Sequence, residues 1–323
     1  ICTGCVLLYL YVRGKIGKQW LVAIVAVVCL LDLWSVNKRY LNDGMFVEKS
    51  QRDQPIVKTA TEDQILRDTS LDYRVLNLAS NTFNENETSY YLKSIGGYHP
   101  AKLRRYQEVI DAYISKEMQK LYPAVAKAQG DMTQVPGDSI FPVLNMLNTK
   151  YFILPLEGGQ TVPVQNPYAL GNAWLVDKVT YVDNANAELD LVGKIDLRHE
   201  AVADKRFKET IGEGVKQEGT SLVKITKYEP NQLTYEVESQ KGGVVVFSEN
   251  YYPGWTATVD GKDVDVARVN YILRAINVAP GKHTVQLSFF PTTVDTTERI
   301  AYASYAILLA VIVVLVVLRR KKK

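Results

Sequence analysis

Cysteine is scarce and unevenly placed: the chain has three in 323 residues, Cys2, Cys5 and Cys29, and residues 37–298 contain none. A segment of that length without disulfides must hold itself together with an ordinary apolar core, which a chain of this size can bury. Cys2 and Cys5 have the CxxC spacing of a redox or metal pair. No second CxxC and no partnering histidine accompany them, so the pair reads as packing at an apolar helix end. Histidine is as rare. His99, His199 and His283 lie far apart with no HExxH, and a metal site is not expected. Neither GxxxxGK(S/T) nor GxGxxG occurs, so no nucleotide-phosphate loop is expected, and without GxSxG nothing marks a serine nucleophile. An excess of positive charge is also missing where nucleic acid would need it. The overall charge is +3, but residues 37–298 carry 29 Lys and Arg against 34 Asp and Glu, a net of −5. Phosphate backbones need a basic face, so no nucleic-acid partner is expected.

Long apolar runs are present. Residues 300–318, "IAYASYAILLAVIVVLVVL", are nineteen uncharged residues, enough for a helix to cross the roughly 30 Å hydrocarbon core. Residues 20–36, "WLVAIVAVVCLLDLWSV", form a second candidate span with Trp20 and Trp34 at interfacial positions; a buried core helix is the other reading. Arg13, Lys15 and Lys18 precede this run, and residues 319–323 are all basic. Both clusters belong on the cytoplasmic side, so residues 37–298 are expected outside the cytoplasm, in a multi-pass protein of the cytoplasmic membrane. Residues 1–12 are apolar but too short to span, and no basic region precedes them as a signal peptide requires. They read as the end of a further transmembrane helix. The chain is thus expected to be the C-terminal portion of a larger protein, with upstream helices of the same parent as partners alongside the bilayer.

Between the spans the pattern is α+β. Residues 37–215 are expected to form an α/β domain and residues 216–291 an antiparallel β-sandwich. "DYRVLNLAS" (72–80) has the content of a buried strand, and a polar loop follows. Pro100 suits the first position of a helix whose stripe is Leu103, Tyr106, Ile110, Tyr113, Ile114, Met118 and Leu121. "DSIFPVLNMLNTKYFILP" predicts a short helix, a turn at Asn148 and a strand over 150–154. "NPYALGNAWLVDKVTYV" predicts another strand, and "DNANAELDLVG" a helix capped by Asp183. From Thr220 onward seven strand-like stretches alternate with turns. Asp260-Gly261 is a hairpin signal, because glycine accepts the positive φ that a type I′ turn requires.

Several phrases together resemble the bacterial YfhO-like membrane proteins. They are "LLDLWSVNKRYLN", "SYYLKSIGGYHPAKLRRYQEVID", "PVLNMLNTKYFIL", "NPYALGNAWLV" and "ENYYPGWTATVDGKDVDVARVNYILRAINVAPGKHTVQLSF". The resemblance implies many membrane helices with a large extracytoplasmic C-terminal domain, similar to membrane glycosyltransferases of the GT-C type. Such enzymes take sugar from a polyprenyl-phosphate carrier and place it on an envelope acceptor. Lipid-linked sugar and envelope polysaccharide are therefore the implied partners, with no cofactor held by this portion. Catalytic carboxylates in that architecture sit on an early loop, so no catalytic residue carries over. These residues alone are expected to be inactive. The other reading is a non-catalytic, membrane-anchored glycan-binding or scaffold module.

Three places carry candidate chemistry. Asp32 is the single charge within the first span, and intramembrane carboxylates are candidates for proton transfer, although it lies near the outer end where headgroup water is close. In "SIGGYHPAKLRR", Gly96-Gly97 allows close backbone approach. Tyr98 and His99 would then stand at a helix N-terminus, with Arg104 and Arg105 one turn on, as an anion or acidic-glycan site. The plainer reading is a turn with Tyr98 packed and His99 hydrogen-bonded. In "ENYYPGWTATV", Tyr251, Tyr252 and Trp255 form either a platform for sugar faces or a plug at the sandwich edge.

Overall fold

The computed structural model describes residues 2–53, 56–217, 219 and 221–321. Ile1, Thr220, Lys322 and Lys323, which belong to the expected first helix, first sandwich strand and basic tail, lie outside the described residues. So do the side chains of Cys2 and Cys5. The chain divides into two compact units, residues 1–57 and 58–323.

The first unit is helical. Helix Cys2–Val12 precedes helix Lys18–Tyr40, and none of the latter's residues is buried. Most of its uncharged side chains are exposed, which suits a hydrocarbon surrounding. The second unit ends in helix Thr292–Lys321, also without a buried residue. These two helices are long and apolar enough to cross a bilayer.

The body of the second unit contains fourteen strands among the described residues. The first three are β1 (Arg74–Asn77), β2 (Thr149–Pro155) and β3 (Thr161–Gln165). They form one sheet in that order, with β1 and β2 parallel. Parallel neighbours need a helical crossover. It is supplied by the helical run 104–127 and by helices Gly137–Ile140 and Pro142–Met146. Then come β4 (Ala173–Val176), β5 (Lys178–Val182) and β6 (Glu200–Asp204), with helix Ala185–Val192 crossing between the parallel pair β5 and β6. The remaining strands are β7 (Leu222–Glu229), β8 (Gln232–Ser239), β9 (Gly243–Asn250), β10 (Trp255–Val259), β11 (Lys262–Val264), β12 (Ala267–Val269), β13 (Leu273–Val278) and β14 (Gly281–Phe289).

These make a six-stranded sheet, β4-β9-β13-β12-β6-β5, and a five-stranded sheet, β11-β10-β14-β8-β7. The sandwich therefore does not start at residue 216: β4, β5 and β6 lie in the same sheet as β9, β12 and β13. Its two inner faces meet at Tyr235, Val237, Phe247, Ile276, Val285 and Leu287. The opposite face of the six-stranded sheet, including Trp174, Val246, Val202 and Leu273, packs into the core of the helical layer with Ile114, Leu144 and Phe152. Burial on both faces explains why β9 reads as an unbroken apolar run, "GVVVF", rather than an alternation.

Asn148 has φ 53° at the turn before β2, and Asp260 and Gly261 have φ 51° and 78° in the β10–β11 hairpin. "KDVDVA" is not one strand, because β11 pairs with β10 while β12 pairs with β13. "NPYALGNAWLVDKVTYV" likewise contains two strands, β4 and β5. The cap of Ala185–Val192 is Asn184, whose side chain accepts the Ala187 N–H, not Asp183. Thr88–Tyr91 forms one helical turn within the expected polar loop.

The long amphipathic helix begins at Arg104, not Pro100. Pro100 is held in a turn in which His99 Nδ1 accepts the Ala101 N–H at 3.0 Å, and Leu103 is extended. From Arg104 the helix runs through a π-turn at 110–114 to Lys127, burying Ile110, Ile114 and Leu121 along the expected stripe.

Candidate functional site

The residues singled out in the sequence separate into those that converge and those that do not. Asp32 is exposed on helix Lys18–Tyr40, where its carbonyl accepts the Ser35 hydroxyl. Tyr98 is 56 % exposed, so it is not packed, and its N–H is taken by Glu85 O and Asn86 Oδ1. The tight approach at Gly96 is made by the chain itself: a Cβ there would lie 2.0 Å from Thr82 O. Tyr98 and His99 therefore belong to the turn before the helix, and the helix N-terminus does not gather the four residues into one site. Trp255 also departs from its expected group. Arg274 lies 3.8 Å from the centroid of its ring and Phe289 packs beside it, so the indole belongs to the sandwich edge.

Arg104, Arg105, Tyr251 and Tyr252 do converge. They line one cavity of about 300 Å³ together with Arg268 and Tyr271. The first pair comes from the start of the long helix and the second from the loop after β9, whose Tyr251 N–H is held by Ile272 O. The third side is the β12–β13 loop. There Asn270 and Tyr271 both have positive φ, 49° and 71°. Asparagine tolerates this conformation, but for tyrosine it is strained, at a cost of about 1–3 kcal/mol. Asn270 is held by pairing with Val202: its N–H donates to Val202 O at 2.7 Å and its Oδ1 accepts the Val202 N–H at 2.9 Å.

Glu188 organises the floor. It is fully buried on helix Ala185–Val192, and its Oε1 accepts the Tyr271 N–H at 3.1 Å. Its Oε2 accepts from Arg268, itself only 5 % exposed, at 2.9 Å. A buried carboxylate is tolerable only with such partners. Tyr271 also donates its hydroxyl to Glu108, and the Arg105 guanidinium lies 4.3 Å from the Tyr271 ring centroid. The Tyr271 hydrogen bond and Arg104 hold Glu108 below the usual carboxylate range, whereas burial and Glu108 push the Tyr271 hydroxyl up. Phe207 packs edge-on to Tyr251 and lies 5.6 Å from the Arg268 guanidinium.

Sequence reading did not select Glu188, Arg268 or Tyr271. The one available signal was a lone arginine in the apolar stretch of β12, followed by Asn-Tyr at a turn. Four other cavities among the described residues are lined by side chains other than Arg104, Arg105, Tyr251 and Tyr252. A larger groove of about 710 Å³, between the end of the long helix and the β2–β3 hairpin, is lined mainly by apolar side chains such as Val125, Leu156 and Val164. No group of His, Cys, Asp and Glu suited to a metal occurs among the described residues.

Residues 193–300 match the family described as bacterial membrane protein YfhO. The matched stretch runs from the end of helix Ala185–Val192 through the sandwich into the terminal helix, and over it the chain is YfhO-like. With the two apolar helices, this makes the chain membrane-associated. Comparison with curated proteins and with solved structures returns no match.

Proposed function

We propose that residues 58–291 form the extracytoplasmic, acceptor-side domain of a GT-C-like membrane glycosyltransferase, and that the arginine–tyrosine cavity binds an acidic envelope glycan. On this reading a polyprenyl-phosphate sugar is the donor and the chemistry takes place on other parts of the protein. One observation carries it: two sequence-distant pairs, Arg104–Arg105 and Tyr251–Tyr252, line the same cavity. Guanidinium groups supply planar donors for a carboxylate or phosphate, and tyrosine rings supply an apolar face with a polar rim for a sugar.

The cavity suits recognition better than catalysis. Its lining residues include no carboxylate and no histidine. The nearby Glu108 is a poor proton acceptor because it is already hydrogen-bonded and shifted down. That same observation favours the second reading, a membrane-anchored glycan-binding module that transfers nothing.

The test uses membranes containing the complete polytopic parent and labelled polyprenyl-phosphate sugars, with transfer to envelope polymer followed as a function of acceptor concentration. An Arg105→Gln, Tyr252→Ala variant is expected to raise the acceptor KM about tenfold while leaving kcat within about twofold, as loss of binding shared by ground and transition states requires. A fall in kcat with KM unchanged would place these residues in the chemistry and refute the reading. Glycan binding without any transfer would select the non-catalytic module.

A further inference from the structure

We propose that this cavity selects a singly charged oxyanion, and that Arg105 is the residue that makes the selection. The inference rests on the glycan-site reading above and adds the charge of the group bound. Five charged side chains meet around the cavity. Arg104 Nε pairs with Glu108 Oε1 at 3.0 Å, and Arg268 pairs with Glu188 at 2.9 Å. The other Glu188 oxygen is satisfied by the Tyr271 N–H, and the other Glu108 oxygen by the Tyr271 hydroxyl.

Arg105 is left over. Its contacts are long: 3.8 Å to the Glu188 oxygen that Arg268 already holds, and 3.5 Å to the Tyr271 carbonyl. Its side chain keeps 34 % of its surface exposed while its guanidinium lies over the Tyr271 ring, 4.3 Å from the centroid. The cavity therefore carries one positive charge without a close counter-ion, on a pre-placed planar donor that suits bidentate pairing with an oxyanion. A ligand with one negative charge neutralises it. A second charge on the ligand finds no uncommitted cation there, because Arg104 and Arg268 are already paired with Glu108 and Glu188. A neutral sugar leaves Arg105 unpaired but keeps the faces of Tyr251 and Tyr252.

The prediction is thus an ordering of affinities, and the single charge belongs to a carboxylate or to a phosphodiester. Four probes separate these: methyl glucoside, methyl glucuronoside, glucose 6-(methyl phosphate) and glucose 6-phosphate. The last carries close to two charges above pH 7. Ligand-observed NMR titrations at pH 8 with the full chain in detergent micelles are expected to show at least one monoanion binding about tenfold tighter than methyl glucoside. That monoanion is also expected to bind no more weakly than glucose 6-phosphate. Which monoanion leads identifies the source of the charge. Arg105→Lys, which keeps the charge but loses the planar fork, is expected to keep only part of the ratio of charged to neutral affinity, and Arg105→Gln to bring it to about one.

If methyl glucoside binds as well as both monoanions, or glucose 6-phosphate binds tightest, charge selection is wrong and the sugar site stands. An Arg105→Gln variant that folds and keeps the ratio also overturns it. If none of the four probes binds, the glycan reading falls and takes this inference with it; the native-chain comparison decides even where a variant does not fold.

Discussion

Glu117 offers a sharp test of how the helical layer is held. It lies on the long helix, 6 % exposed, and each carboxylate oxygen accepts one backbone N–H from the start of helix Pro142–Met146: Val143 at 2.9 Å and Leu144 at 2.9 Å. These are two of the donors that a helix's first turn cannot satisfy for itself. Burial outweighs them and pushes the carboxyl up to about 8, from 4.5 in an unperturbed glutamate. The sign follows from linkage. Between these values the folded chain keeps a proton that the unfolded chain has released, so the contribution is complete below pH 4.5 and is lost as pH rises through about 8.

The slope approaches about 1.4 kcal/mol per pH unit inside the window, or about 3 kcal/mol between pH 5 and 7.5. For a domain of this size that is a fall in Tm of about 6–12 °C. Glu117→Gln removes the titration, leaves one of the two N–H groups without an acceptor and costs about 1–3 kcal/mol at pH 5. Thermal unfolding of the full chain in micelles, followed by near-UV circular dichroism, would compare the two proteins across this range. The wild-type advantage should shrink as pH rises and be gone or reversed by pH 7.5. If wild type and Glu117→Gln keep a constant separation from pH 5 to 7.5, the account of Glu117 is wrong.

Three other positions give direct expectations. His283 Nδ1 lies 2.7 Å from Asp260 Oδ2, and that hydrogen bond raises the imidazole above 6.5, so the β10–β14 tie should weaken as pH rises through the raised value. Asp260→Asn should bring the His283 titration, read by NMR, back toward 6.5. Asn270→Ala should cost about 2–4 kcal/mol in urea unfolding, because it loses the Val202 hydrogen bond and keeps the positive φ. Asn270→Gly should cost less, since it relieves the backbone. Gly96→Ala should cost about 3 kcal/mol or more, because its new Cβ would lie 2.0 Å from a backbone oxygen, and a protease-sensitivity profile no different from wild type would contradict that.

Much of the architecture was legible from local pattern. Nineteen uncharged residues at 300–318 fall inside a 30-residue helix, and the stripe Ile110–Ile114–Leu121 is the buried face of the helix that carries it. Asp260-Gly261 forms its hairpin because backbone preference there is intrinsic to the two residues. The sheet assignment of β4, β5 and β6 was not legible, because pairing partners far apart in sequence leave no mark on the strand itself. Pro100 misled for a related reason: its own backbone suits a helix start, but the His99 ring, by accepting the Ala101 N–H, favours a turn instead. At the site, Arg104, Arg105, Tyr251 and Tyr252 were each visible as residue types, but their meeting depends on the strained β12–β13 loop. Glu188 looked like one more polar residue of a short amphipathic helix, and its depth comes from Arg268 on a strand some eighty positions away.

β14 lies between β10 and β8 in the five-stranded sheet, and only Phe290 and Pro291 separate its last residue from helix Thr292–Lys321. Two residues span at most about 10 Å, so the end of the central strand stays tethered beside the start of the apolar helix. Tyr252 packs against Phe289 at that junction, which sets the rim of the arginine cavity beside the point of attachment.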